Sequence, residues 1–104
     1  MDLTPEQTVY LNTLGLALCR NGAFAEAVPI LEKSLKESNG AHDAFDLFVL
    51  AMCHHRLGNV SLAKDCHGRA VRWFRERRNQ LSATWVDELT GFQAEAEAVL
   101  SGPP

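Results

Sequence analysis

An all-α fold, assembled from tandem antiparallel helix-turn-helix repeats and closed by one further helix, is predicted by three features of the sequence. The chain repeats itself: Leu11, Leu14 and Ala27 recur 36 positions later as Leu47, Leu50 and Ala63, and the turn Arg20-Asn21-Gly22 recurs as Arg56-Leu57-Gly58. Apolar residues in every long segment fall at steps of three and four, the spacing of one helix face, and no segment alternates as a strand does. Short breaks separate the segments, which makes consecutive helices antiparallel neighbours. A period in the range of about 20–50 residues marks a stacked architecture, because one unit cannot bury its apolar face alone.

Each of the five expected helices has its own start and stop. Thr4-Pro5-Glu6-Gln7 opens the first with a threonine cap, proline at the first helical position and a glutamine placed to complete a capping box. Leu11, Leu14 and Leu18, with the small residues Gly15 and Ala17, form its apolar stripe, which ends near Arg20 ahead of Asn21-Gly22. The second helix runs from about Phe24 to Ser38, with Ala27, Ile30, Leu31, Ser34 and Leu35 on one face and Pro29 inside it, where proline removes a backbone hydrogen bond. Gly40 suits a left-handed helix stop and Asp43 a new cap. A third helix from about Ala44 to Leu57 and a fourth from about Val60 to Arg77 follow, the fourth carrying Ala63, Ala70, Val71 and Phe74 inward with Cys66 or His67. After the break at Asn79-Gln80-Leu81-Ser82, the fifth spans about Ala83 to Leu100 and places Trp85, Leu89, Phe92, Ala96 and Val99 on one face. The chain is thus expected to be one domain over 1–104, with a first repeat at about 5–38, a second at about 44–77 and a cap at about 83–100.

These residues resemble the tetratricopeptide repeat, a helix-turn-helix with small residues where its helices cross most closely. The first unit reads Leu11-x-x-Leu14-Gly15-x-x-Leu18 followed by Ala27 and Leu31, and the second Leu47-x-x-Leu50-Ala51-x-x-His54 followed by Ala63 and His67. Both keep the turn glycine, Gly22 and Gly58, and Glu26-Ala27 is the usual dipeptide of the family. Departures from the pattern are Asn39 where proline is common, a link two residues longer than standard, and the two histidines in place of large apolar residues. The likeness covers roughly residues 8–78, and the fifth helix looks like the solvating cap of such arrays.

The resemblance implies a non-catalytic scaffold that binds a peptide or partner helix in the groove lined by the first helix of each repeat. That face maps to Val9, Asn12, Leu16 and Cys19 in the first unit and to Phe45, Phe48, Met52 and His55 in the second. The family's carboxylate clamp on chaperone tails is disfavoured, because Leu16, Phe48 and Val49 are apolar where its polar residues would sit. Phe45, Phe48 and Met52 suit an adaptable apolar contact, or else pack against a neighbouring repeat. Two repeats fall short of the usual three. Self-association, or continuation into a longer array or a larger signalling protein, is therefore expected, with the side of the first helix carrying Leu16 and Ala17 left unpaired.

The alternative is a metal-binding structural or sensor module. Cys53, His54, Cys66 and His67 are metal-ligand types, and His54 and His67 take facing positions of the repeat, but their spacing is not that of a zinc module. Buried imidazoles hydrogen-bonded to their surroundings are the commoner outcome of such a pattern. No cofactor is called for: there is no phosphate-binding glycine loop, no pair of acids in an apolar cleft and no nucleophile with an oriented base.

Composition narrows partners and compartment. The net charge of -3 conceals six of the ten basic residues between Lys64 and Arg78. Arg69, Arg72, Arg75, Arg77 and Arg78 complement the negative end of the fourth helix, and nucleic-acid recognition is disfavoured for want of an aromatic stacking platform. Three widely spaced cysteines, an acidic polar start and the absence of a long apolar run point to a cytoplasmic protein with reduced thiols and no membrane span.

Overall fold

The computed structural model describes the backbone of residues 5–38 and 43–103 and the side chains of residues 10–38 and 43–103. The threonine cap expected at Thr4 and the stop expected at Gly40 lie outside these residues. Within them the chain forms α1 (Pro5–Arg20), α2 (Phe24–Glu37), α3 (Asp43–Arg56), α4 (Val60–Arg77), a 3-10 turn (Arg78–Gln80) and α5 (Ala83–Leu100). No strand occurs among the described residues.

The two hairpins are built alike down to single hydrogen bonds. In the first, the Gly22 amide donates to the Cys19 carbonyl and the Ala23 amide to the Leu18 carbonyl; in the second, Gly58 donates to His55 and Asn59 to His54. This pair of bonds satisfies carbonyls that a helix end leaves open, and it requires a left-handed residue just past the end. Glycine fills that position twice, with φ of 80° at Gly22 and 86° at Gly58. The residues that follow also agree, Ala23 at φ -86°, ψ 59° and Asn59 at φ -88°, ψ 66°. The offset of 36 seen in the letters is therefore a repeat of backbone geometry.

Small residues sit where helices approach most closely. Ala27 and Ala63 are fully buried, and a side-chain carbon placed on Gly15 would lie 2.5 Å from a methyl of Leu31. In the second unit Ala51 replaces Gly15 and His67 replaces Leu31, so the flat imidazole lies opposite the slightly larger residue. Pro29 is tolerated without a break, since α2 is continuous through it. Asp43 is the first helical residue of α3 rather than its cap, one position later in the helix than the sequence suggests.

Helix α3 is the axis of the molecule. It packs against α1 and α2 on one side and against α4 and α5 on the other, and every residue from Ala44 to His55 is buried. A helix enclosed on all sides must be apolar nearly all round, which the run Leu47 to Cys53 supplies. Helix α5 starts at Ser82, whose hydroxyl accepts from the Trp85 amide at 3.2 Å, and buries Leu89 and Ala96. Trp85, Val86, Phe92 and Val99 pack against the same core.

Crowding at Gly15 generates a paired prediction. Gly15→Val should destabilise the fold by about 1–3 kcal/mol, the cost of overpacking a filled core. By contrast, Gly91 is exposed in α5 with open space around it, so Gly91→Ala should stabilise by up to about 1 kcal/mol through helix propensity. Urea unfolding of the two variants beside the parent chain checks both signs.

Candidate functional site

The residues expected to line a partner groove are brought together on α3, but under a cover of the chain's own making. Phe45 meets Phe92 of α5 edge to face, with ring centroids 4.9 Å apart. Met52 borders a cavity of about 200 Å³ together with Val99 and Glu95 of α5. His55 donates from Nε2 to the Gly102 carbonyl just past α5, at 2.8 Å. Phe48 is fully enclosed and lies against the His67 ring, 6.0 Å between centroids. Polar contacts flank the cover: Glu95 forms an ion pair with Arg20 of α1, and a Glu97 carboxylate oxygen lies 3.3 Å from Nε2 of His67 in α4. The expectation of an open apolar groove at Phe45, Phe48, Met52 and His55 is corrected accordingly. The apolar α3 face would be costly to leave in water, and α5 buries it.

The first-unit members of the predicted groove have different fates. Val9 lies outside the residues whose side chains are described. Leu16 is half-buried against the core and Cys19 half-buried at the end of α1. Asn12 is buried and joins a polar cluster with Ser34 of α2 and Asp46 of α3. Ser34 Oγ lies 2.8 Å from Asp46 Oδ2 and also contacts Asn12 Oδ1.

That cluster ties three helices together at a single hydroxyl. A serine carries one proton and cannot donate to two acceptors. Ser34 donates to Asp46 Oδ2, and an Asn12 amide turned to present Nδ2 donates in turn to Ser34 Oγ, which satisfies both contacts. Burial pushes the Asp46 carboxyl up to about 7, with the Ser34 hydrogen bond opposing and the nearby Asp43 charge adding. The signal in the sequence was a lone acid, Asp46, at an inward position of the most apolar helix.

The metal-centred alternative does not assemble. Among the described residues no group of three or more His, Cys, Asp or Glu side chains is placed to hold a metal ion. His67 faces Phe48 and Glu97, and Cys53 and Cys66 are both free thiols. His54 is buried with no hydrogen-bond partner at Nδ1 among the described residues. Three of the five arginines are held along their own segment: Arg77 stacks over Trp73 at 4.9 Å, Arg78 of the 3-10 turn over Phe74 at 5.2 Å, and Arg69 pairs with Asp65 at 4.0 Å. No helix among the described residues is long and apolar enough to cross a membrane.

Asp46 gives the fold a pH dependence of known sign. The folded protein holds this proton to about pH 7, whereas a carboxyl of ordinary value, 3.8, releases it far earlier. The stabilisation is therefore complete below the unfolded value and is lost as pH rises through about 7. Asp46→Asn should remove that decline, so the stability difference between variant and parent shifts in the variant's favour by a few kcal/mol from acid to neutral pH, on the order of 1.4 kcal/mol per pKa unit. Urea midpoints of both proteins at matched pH values check it. In comparisons with known proteins, no family model, no curated protein and no solved structure matches the chain.

Proposed function

We propose that the chain is a non-catalytic protein-interaction module of the tetratricopeptide kind, and that its recognition face is the outer side of α1. The partner it suits is a helical hairpin like α1–α2, carried by another polypeptide. One observation supports this reading. Tyr10, Thr13 and Ala17 of α1 are equivalent, 36 positions on, to Asp46, Val49 and Cys53 of α3. The later three are fully buried, on a helix side where Ser34 of α2 reaches Asp46. The earlier three are exposed, Tyr10 by 63%. Equivalent positions of the two units thus differ in cover: those of α3 lie beside the α1–α2 hairpin, and those of α1 are exposed.

The rest of the surface supports α1 over the groove first expected. With α5 seated on α3, an external peptide reaching Phe45 or Met52 would have to displace Phe92 and Val99 from the core. At ~1.5–3 kcal/mol for each large side chain returned to water, that competition is steep. Ala17 and Thr13 keep the α1 surface low, which lets a helix approach at close range. Asn12, Ser34 and Asp46 are engaged with one another, which favours an interaction role over catalysis.

Adding one repeat tests the reading. Insertion of a second copy of residues 7–42 ahead of residue 7 supplies a preceding hairpin in frame. A single cooperative transition with a melting temperature raised by about 5 °C or more is expected, and Ala17→Glu in the receiving unit should cancel the gain. Two separate transitions, with the parental one unmoved, would contradict it. A dimer of the parent chain dissolved by Ala17→Glu would identify a second copy as the occupant instead.

A further inference from the structure

Helix α4, the 3-10 turn and α5 border an open cavity of about 250 Å³, lined by Val71, Phe74, Arg75, Arg78 and Gln93. Its apolar part belongs to the core: Phe74 is buried, and Val71 packs against the same cluster. No acidic residue lines it, and among the described residues no carboxylate forms an ion pair with Arg75 or Arg78. Arg78 stacks over the Phe74 ring at 5.2 Å. The carboxylate that Gln93 touches, that of Glu97, is already engaged: it accepts from Gln93 Nε2 at 3.3 Å and lies 3.3 Å from His67 Nε2.

Size and charge together define what fits. An apolar cavity of roughly 150 Å³ holds one benzene ring, so this one has room for a ring and a head group. Its two guanidinium groups are full cations, whereas the end of a helix carries only about half a negative charge. Complementing the end of α4 therefore uses a part of that charge and leaves the rest for a ligand. A phosphate monoester brings about −1.5 to −2 of charge at neutral pH and three acceptor oxygens, which the planar forks of two arginines match pairwise. A carboxylate brings a single charge.

We propose that this cavity is a binding site for an aryl phosphate monoester, with the ring against Val71 and Phe74 and the phosphate held by Arg75 and Arg78. Both arginines are exposed, so the phosphate end of the ligand meets solvent while the ring end meets the core. The stack on Phe74 already orients Arg78, which lowers the side-chain freedom lost on binding. Gln93 closes the α5 side. The site belongs to α4 and α5 and is independent of recognition by the outer side of α1, so either can hold without the other.

Titration of the full chain with phenyl phosphate, followed by amide NMR, tests the proposal. Saturable shifts are expected around Val71 to Arg78 and at Gln93. Inorganic phosphate, which lacks the ring, and benzoate, which lacks half the charge, should each bind about tenfold more weakly or worse. Arg75→Gln and Arg78→Gln should each weaken phenyl phosphate by about tenfold. Arg72→Gln should leave it unchanged, because Arg72 is an exposed arginine of α4 that does not line the cavity. A capped phosphotyrosine peptide binding more tightly than phenyl phosphate would place the phosphate on a polypeptide, and equal or weaker binding would place it on a small molecule; both support the site. Absence of binding, inorganic phosphate or benzoate binding as tightly as phenyl phosphate, or an equal loss in Arg72→Gln would each overturn it. The comparison of the three probes on the parent chain stands whether or not the variants fold.

Discussion

Everything in this molecule follows from enclosing one helix on all sides. From Ala44 to His55 every residue of α3 is buried, and a single hairpin partner can cover only one face of a helix. Two faces are taken by the hairpins themselves, α1–α2 before and α4 after, and α5 takes what remains. Each large side chain so buried is worth ~1.5–3 kcal/mol, so Phe45, Leu47, Phe48 and Leu50 together carry much of the stability available to a chain of this size. The same enclosure dictates how polar residues of α3 behave. A buried carboxyl must find hydrogen bonds or hold its proton more tightly: Asp46 accepts from Ser34, and burial pushes its carboxyl up.

Comparing the two first helices isolates what neighbours contribute. Helices α1 and α3 occupy the same place in the repeat and end in the same hydrogen-bond pattern, yet one is half-exposed and the other wholly buried. Their sequences have adapted to that difference. Tyr10 and Thr13 stand where α3 has Asp46 and Val49: two polar residues at exposed positions, against a carboxyl and an isopropyl group that the interior must accommodate.

Helix boundaries were legible in the sequence because local chemistry sets them: glycine past two helix ends, serine at the start of α5, and apolar spacing within each segment. The inward faces of α4 and α5 were legible for the same reason, since Ala63, Ala70, Leu89 and Ala96 are buried as their spacing suggests. What stayed hidden depends on long-range packing. Nothing local to Phe92 or Val99 tells that α5 lies over Phe45 and Met52, so the α3 face read as an open groove. Likewise His54 and His67 face each other in the repeat frame, but Phe48 and Glu97 take the partners' place around His67.

Native-state hydrogen exchange across α3 and α5 tests the central claim most directly, because it reads the free energy at which each helix opens. If α5 is an integral wall of the core, amides around Leu89 to Ala96 should exchange at the same free energy as those of Leu47 to Met52, and both should fall together with denaturant. Exchange of α5 at a much lower free energy, with α3 still protected, would make it a detachable cover over an accessible groove and contradict the account.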